Sequence, residues 1–390
     1  MITLNDDPFA DDVLADPLPL HRRLRDAGPV VYLDRYRVWA SGRAEEVAQA
    51  LNDPETFCSS AGVGLTDFRK ETPWRPPSLL LEADAPDHDR ARRTVTSVLT
   101  PKVVKTYRDT FAAEAEKLVA ELLARGEFDA VPDFAEAFPL KVFPDAVGLP
   151  AEGREHLLPY GSMVFNGFGP RNHLFTEAME RGARAREWIA EHCRAENLAP
   201  GGLGAQIHEA AAEAGFTPDE RALLVRSFLS AGVDTTVHAL GNAVLCFTEH
   251  PDQWAALRES PDRSRAAFEE VVRFSSPVQT FFRTTTRDVE LGGQRLPAGE
   301  KVLLFLAAAN RDPRRWAEPD SFDIARRAAG HVGFGSGVHA CVGQMFARLE
   351  GEVLLAELAR RVTTLELTGP PRPQLSNTLR GLASLPVRVR

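Results

Sequence analysis

The chain has 390 residues, 44% hydrophobic and 26% charged, a balance that excludes a largely disordered protein. Its net charge of −9 argues against nucleic acid as the main partner, because a phosphate backbone calls for a basic surface. Four cysteines (Cys58, Cys193, Cys246, Cys341) lie far apart without a CxxC pair, which argues against a disulfide framework or structural zinc and favours a reducing, cytoplasmic setting. The amino terminus, MITLNDDPFADD, is acidic and has no apolar run, so it does not read as a signal peptide. The most apolar short stretch, Val302 to Ala309, is too short to cross a bilayer.

Residues Val30 to Ala40 are rich in β-branched and aromatic side chains and predict an early hairpin. Helical spacing runs from Lys102 to Arg125, where Gly126 stops it. Pro218 to His250 predicts a long helical stretch. Thr217 and Glu220 form a capping box around Pro218, and Ser230-Ala231-Gly232 interrupts the stretch. Ser264 to Phe274 is a further helix. Val289 to Val302 holds Gly-Gly and Pro-Ala-Gly turns between short apolar segments and reads as small strands. A last long helix runs from Cys341 to Val362. The sum is a mainly α, α+β chain with a minor β region drawn from both ends, read as one domain over 1–390.

The segment Phe334-Gly335-Ser336-Gly337-Val338-His339-Ala340-Cys341-Val342-Gly343 carries the most information. Two glycines one residue apart permit a tight turn, and a cysteine at a helix start meets backbone N–H groups that favour a thiolate. A lone cysteine in a glycine-rich turn is more often structural. The full FGxGxHxCxG pattern, however, resembles the haem-binding loop of the cytochrome P-450 family. Glu270-Val271-Val272-Arg273 is similar to that family's ExxR, and Arg326 is implied to complete a buried network with the pair.

The resemblance implies the family fold, haem b as cofactor, and Cys341 as the axial sulfur ligand of its iron. Pro86-Asp87-His88-Asp89-Arg90-Ala91-Arg92 resembles the family's PxHxxxR helix. His88 and Arg92, with Arg283 and His339, are thereby implied to hold the haem propionates. Ala231-Gly232-Val233-Asp234-Thr235-Thr236 matches the family's distal helix motif, and Asp234 with Thr235 is implied to relay protons to bound dioxygen.

Stretches outside these motifs resemble a narrower bacterial subgroup that oxidises para-substituted benzoates, including 4-methoxybenzoate O-demethylases. They are residues 62–65, 73–78, 164–170, 226–230 and 277–283. The resemblance implies that Arg75, Ser78, Arg226 and Ser227 lie near the substrate carboxylate, and that Ser230 also belongs to the substrate site. Phe165, Phe168, Ala231, Val278 and Phe281 are implied to form a flat slot for the ring. Ser162-Met163 departs from the apolar pair expected there and bears on the para-substituent preference. No flavin or iron–sulfur motif is present, so electrons are expected from a ferredoxin and its NAD(P)H-dependent reductase. Arg93, Lys102 and Lys105 are candidates for its docking surface. Two other readings stay open: a small apolar substrate such as a terpenoid, and a haem sensor without turnover.

Overall fold

The computed structural model describes residues 1–390. Nine strands matter for the site. They are β1 (Thr3–Leu4), β2 (Val31–Leu33), β3 (Val38–Ser41), β4 (Phe57–Cys58), β5 (Glu127–Asp129), β6 (Thr280–Thr285), β7 (Val289–Leu291), β8 (Gln294–Leu296) and β9 (Lys301–Phe305). The expected hairpin is β2–β3, with Val31 opposite Ala40 and Leu33 opposite Val38. It joins a six-stranded sheet in the order β1-β2-β3-β9-β6-β4. There β3 runs parallel to β9, and β9 antiparallel to β6. β9 is a continuous apolar run after Lys301 and is buried along its length, as befits a strand covered on both faces.

The early hairpin and the late strand β9 thus share one sheet, as expected of a β region drawn from both ends of the chain; the extreme carboxyl-terminal strands, which the sequence did not announce, lie outside it. Pro386–Val389 pairs with Leu365–Leu367 on one side and with β5 on the other, in a separate three-stranded sheet.

The principal helices are α1 (Asp87–Val98), α2 (Pro101–Thr106), α3 (Arg108–Arg125), α4 (Leu157–Asn166), α5 (Pro218–Gly232), α6 (Asp234–Glu249), α7 (Ser264–Ser275) and α8 (Gln344–Arg361). The predicted 102–125 helix is two, α2 and α3, joined at Tyr107. Thr217 caps α5 with the expected box, accepting from Glu220 N while Glu220 Oε2 accepts from Thr217 N at 2.8 Å. The 218–250 stretch also divides, because helical geometry lapses at Val233. Gly232 lies so close to the Phe143 ring that a Cβ there would meet Cζ at 2.3 Å. α6 is buried on nearly every side, and its apolar residues, with those of α3, α7 and α8, form the main core.

Candidate active site

A cavity of about 1520 Å³, its open mouth included, is walled by the α5–α6 junction, the 75–81 loop, Phe165, Phe168, β6 and the cysteine loop. Its wall is largely apolar, with a few cationic and hydroxyl side chains set into it.

Cys341 is partly exposed on the cavity wall. Its N–H donates to the Phe334 carbonyl at 2.8 Å, which closes the loop. Gly335 and Gly337 have φ of +70° and +68°, the left-handed region that explains both glycines. The helix begins at Gln344, three residues later than expected. The cysteine therefore precedes the helix rather than opening it. Burial pushes the thiol upward, while the backbone at Gly343 and Gln344 and the charges of Arg92 and Arg348 pull it down. The net direction is upward, so the turn alone does not make a thiolate.

Four cationic or ionisable side chains meet beside this loop. Arg92, Arg283 and His339 line the cavity, and His88 packs directly behind His339. Arg283 is buried, donates to the Phe282 carbonyl at 2.9 Å, and has no carboxylate partner; burial draws it down to about 10. Arg92 has none either. The Nε2 atoms of His88 and His339 are both buried without a partner. His339 donates from Nδ1 to the Leu80 carbonyl at 3.2 Å, so donation from Nε2 requires its second proton. Burial and the Arg283 charge hold that proton off, and a carboxylate at this point restores it. Two unpaired guanidinium groups and two orphaned ring nitrogens fit the pair of propionates a haem carries.

Behind the cysteine loop, Glu270 accepts from Arg273 Nε and Nη2, both at 2.7 Å, and from Arg326 Nε at 3.1 Å. Glu270 and Arg273 are fully buried. This is the three-residue network the resemblance implied.

At the α5–α6 junction, Thr235 and Thr236 line the cavity, and the Thr235 hydroxyl donates to the Ala231 carbonyl at 2.9 Å. Asp234 is not part of the wall. Its carboxyl group is buried against α4, where Gly161 has no side chain to obstruct it, and Oδ1 has no partner. Burial, then the nearby Glu136, pushes its pKa well above the usual carboxylate range.

The aromatic slot is present. Phe165 and Phe168 meet edge to face at 5.9 Å and Phe168 and Phe281 at 5.8 Å, with Val278 and Ala231 on the same wall. Ser78 Oγ lies 2.8 Å from Ser227 Oγ, and both reach the cavity, as do Ser230 and Arg75. Arg226 does not line it; its guanidinium donates to the Pro76 carbonyl at 2.7 Å and fixes the 75–78 loop from behind. Ser162 and Met163 also stay off the wall. Ser162 accepts from Asn166, and Met163 is buried against Gly182.

Three notable residues escaped the sequence reading. Glu82 pairs with Arg75 at 2.9 Å. Gly161 admits the Asp234 carboxyl group. Glu350 is a buried acid on the cavity wall whose Oε2 has no partner and whose pKa burial raises well above the carboxylate range. Glu350 lies four residues after Phe346 on the buried face of α8, so its helical phase could have exposed it. Nothing local marks the other two.

A cysteine opening on the cavity beside cationic side chains without carboxylate partners fits a thiolate-ligated porphyrin. The family model for cytochrome P450 matches residues 202–388. Cytochrome p450 CYP199A2 of Rhodopseudomonas palustris is 59% identical over 384 residues, covering 98% of this chain and 93% of that protein. Cytochrome P450 107B1 of Saccharopolyspora erythraea is 34% identical and covers 90% of this chain and 89% of its own. Among solved structures, cytochrome P450 CREJ in complex with (4-ethylphenyl) dihydrogen phosphate superposes with a TM-score of 0.89 at 26% identity, covering 98% of this chain and 99% of that one. The chain belongs to the cytochrome P450 family and is a haem-thiolate monooxygenase. No helix is long and apolar enough to cross a membrane.

Proposed function

We propose that this monooxygenase uses haem b and oxidises a para-substituted benzoate, by O-demethylation of a methoxy group or hydroxylation of an alkyl one. The observation that carries the reading is the polar cluster of Ser78, Ser227 and Arg75 set into an otherwise aromatic and aliphatic wall. One end of the substrate needs hydrogen-bond donors and the rest needs a dry, flat slot. A carboxylate held at the serines leaves the para carbon as the ring position furthest from the anchor, so positioning selects the oxidised atom. The likeness to CREJ supports this, since the ligand of that complex, (4-ethylphenyl) dihydrogen phosphate, also joins a para-alkylphenyl group to an acidic head.

Cys341 would hold the iron, and Arg92, Arg283, His88 and His339 the propionates. When bound, haem supplies the iron at which dioxygen is reduced and split, one atom passing to the substrate and the other leaving as water. The protein's own share is the proton traffic. Thr235 presents an exchangeable hydroxyl at the wall, and the buried Asp234 carboxyl group, which burial biases towards its protonated form, lies one residue away in the chain. With a methoxy substrate, the hydroxylated methyl carbon is lost as formaldehyde and a phenol remains.

Electrons come, in this reading, from a ferredoxin and its NAD(P)H-dependent reductase in the cytoplasm; the four cysteines are all free thiols. Arg93, Lys102 and Lys105 are exposed and in no ion pair, which leaves them to an acidic partner. Reversing their charge is expected to lower ferredoxin-driven turnover and spare peroxide-driven turnover. Residues 1–390 are read as one domain.

The test is a spin-state titration of the haem-loaded protein. 4-Methoxybenzoate should convert low-spin haem to high-spin and yield 4-hydroxybenzoate and formaldehyde, with neutral analogues binding weakly. Equal or better binding of 4-methoxytoluene overturns the assignment.

A further inference from the structure

We propose that Glu82 is the built-in counter-charge of the acid subsite, setting it to accept one negative charge and not two. The inference rests on the benzoate reading above and specifies the anion it takes.

Arg75 is 8% exposed at its side chain and Glu82 only 2%, so their 2.9 Å pair is largely withdrawn from water. Glu82 is held firmly, since Oε2 also accepts from Ser78 N at 2.7 Å. The same carboxylate thus fixes both the arginine and the backbone of a serine that faces the cavity. Arg226 stands behind the loop, donates through Nη2 to the Pro76 and Pro77 carbonyls, and has no carboxylate partner. Tyr160 and Cys193, the other ionisable groups that act on Arg226, are both raised by burial, Cys193 to about 12, and so are neutral. Two guanidinium groups against one carboxylate leave a single positive charge.

Donors are also rationed. Arg75 Nη1 and Nη2 serve Glu82 and the Pro76 carbonyl, and its Nε is buried without a partner. The Ser227 hydroxyl donates to the Leu223 carbonyl at 2.8 Å. Ser78 Oγ accepts from Leu80 N and Leu81 N, so its own proton is the one free to turn from Ser227 to a ligand. One carboxylate neutralises this subsite. A dianion leaves an uncompensated negative charge in an apolar cavity, which is costly.

The test compares two ligands of the same tetrahedral shape, 4-methoxybenzenesulfonate and 4-methoxyphenylphosphonate. Spin-state titrations of the haem-loaded protein are run at a pH where the phosphonate carries two charges. The wild type is expected to prefer the monoanion by at least about tenfold. Glu82→Gln, which keeps an acceptor for Ser78 N, is expected to shrink that preference by about tenfold, mainly by tightening the phosphonate. Glu82→Asp keeps the charge and should keep the preference. A reduced carbonyl spectrum of the thiolate type verifies that each variant is folded. Equal wild-type binding of the two ligands overturns the inference without any variant. So does an unchanged preference in Glu82→Gln, or an equal loss in Glu82→Asp. If 4-methoxybenzoate itself fails to bind, the benzoate reading falls and takes this one with it; if it binds and the preference does not move, only the role of Glu82 falls.

Discussion

The His88 and His339 rings stand 4.2 Å apart, centroid to centroid, and each ends in a buried Nε2 with no partner. Together with Arg283, which has no carboxylate partner, they form a cluster of buried polar groups left incompletely satisfied, an arrangement that costs free energy until an anion arrives. Replacing His88 by Phe, or Arg283 by Leu, removes a charge-assisted bond worth about 1.5–3 kcal/mol. Haem transfer to apomyoglobin should accelerate by about ten- to a hundredfold in either variant. An unchanged transfer rate excludes those side chains from the propionate site.

Cys341→Ser should abolish the thiolate signature of the reduced carbonyl complex. Cys246→Ser, at a thiol buried in the core and pushed up to about 12, should leave it intact.

Breaking the buried network at Glu270 should be severe. Arg273→Leu leaves a fully buried carboxylate with only Arg326 beside it, and losing one partner of such a pair costs about 3–5 kcal/mol. The expected outcome is a lower thermal midpoint and poor haem incorporation, read by calorimetry and by the ratio of haem to protein absorbance.

Acid should destabilise the fold well above the carboxylate range. His21 and His238 are buried, and burial lowers them from 6.5 to about 3 and about 4 respectively. Both are neutral when folded and gain protons more readily when unfolded. Their contribution is complete above about pH 6.5 and declines as pH falls towards their folded values. The thermal midpoint should fall between pH 7 and pH 5, both on the order of that titration range, and His238→Gln should flatten part of the slope.

Gly161→Ala should act on Asp234 at a distance from the cavity. A Cβ at residue 161 would come within 2.4 Å of Asp234 Oδ2, so the carboxyl group must move or α4 must shift. Ferredoxin-driven turnover is expected to drop by at least about tenfold, because the proton source is displaced. Peroxide-driven turnover, which brings its own protons, should fall less. An equal loss in both would mean that the cavity itself has changed.

What was legible in the sequence was whatever depends on near neighbours. The glycines of 335 and 337, the capping box at Thr217 and the break after Gly232 each declare themselves within a few residues, and each is present. The helix start at Gln344, rather than Cys341, turns on how the 341–343 turn closes, which spacing does not encode. Partner choice across the chain was equally hidden. Arg75 and Arg226 look alike as isolated cations, yet Arg75 reaches the wall and Glu82 while Arg226 props up a loop 150 residues away in sequence. Asp234 reads as a cavity residue from its motif. Its side chain turns to α4 because position 161 is glycine, a fact visible only once the two helices are packed.

The pairing of β3 with β9 has a consequence for how the molecule is made. Trp39 lies opposite Val302 and Ser41 opposite Leu304, so the hairpin at residues 31–41 remains an open edge until the ribosome has delivered most of the chain. Local helices can form as they emerge, but the floor beneath the cavity has to wait. Nascent chains whose residues 301–305 have not yet left the ribosome should therefore carry an unpaired, aggregation-prone edge, one that chains with this strand fully emerged have covered.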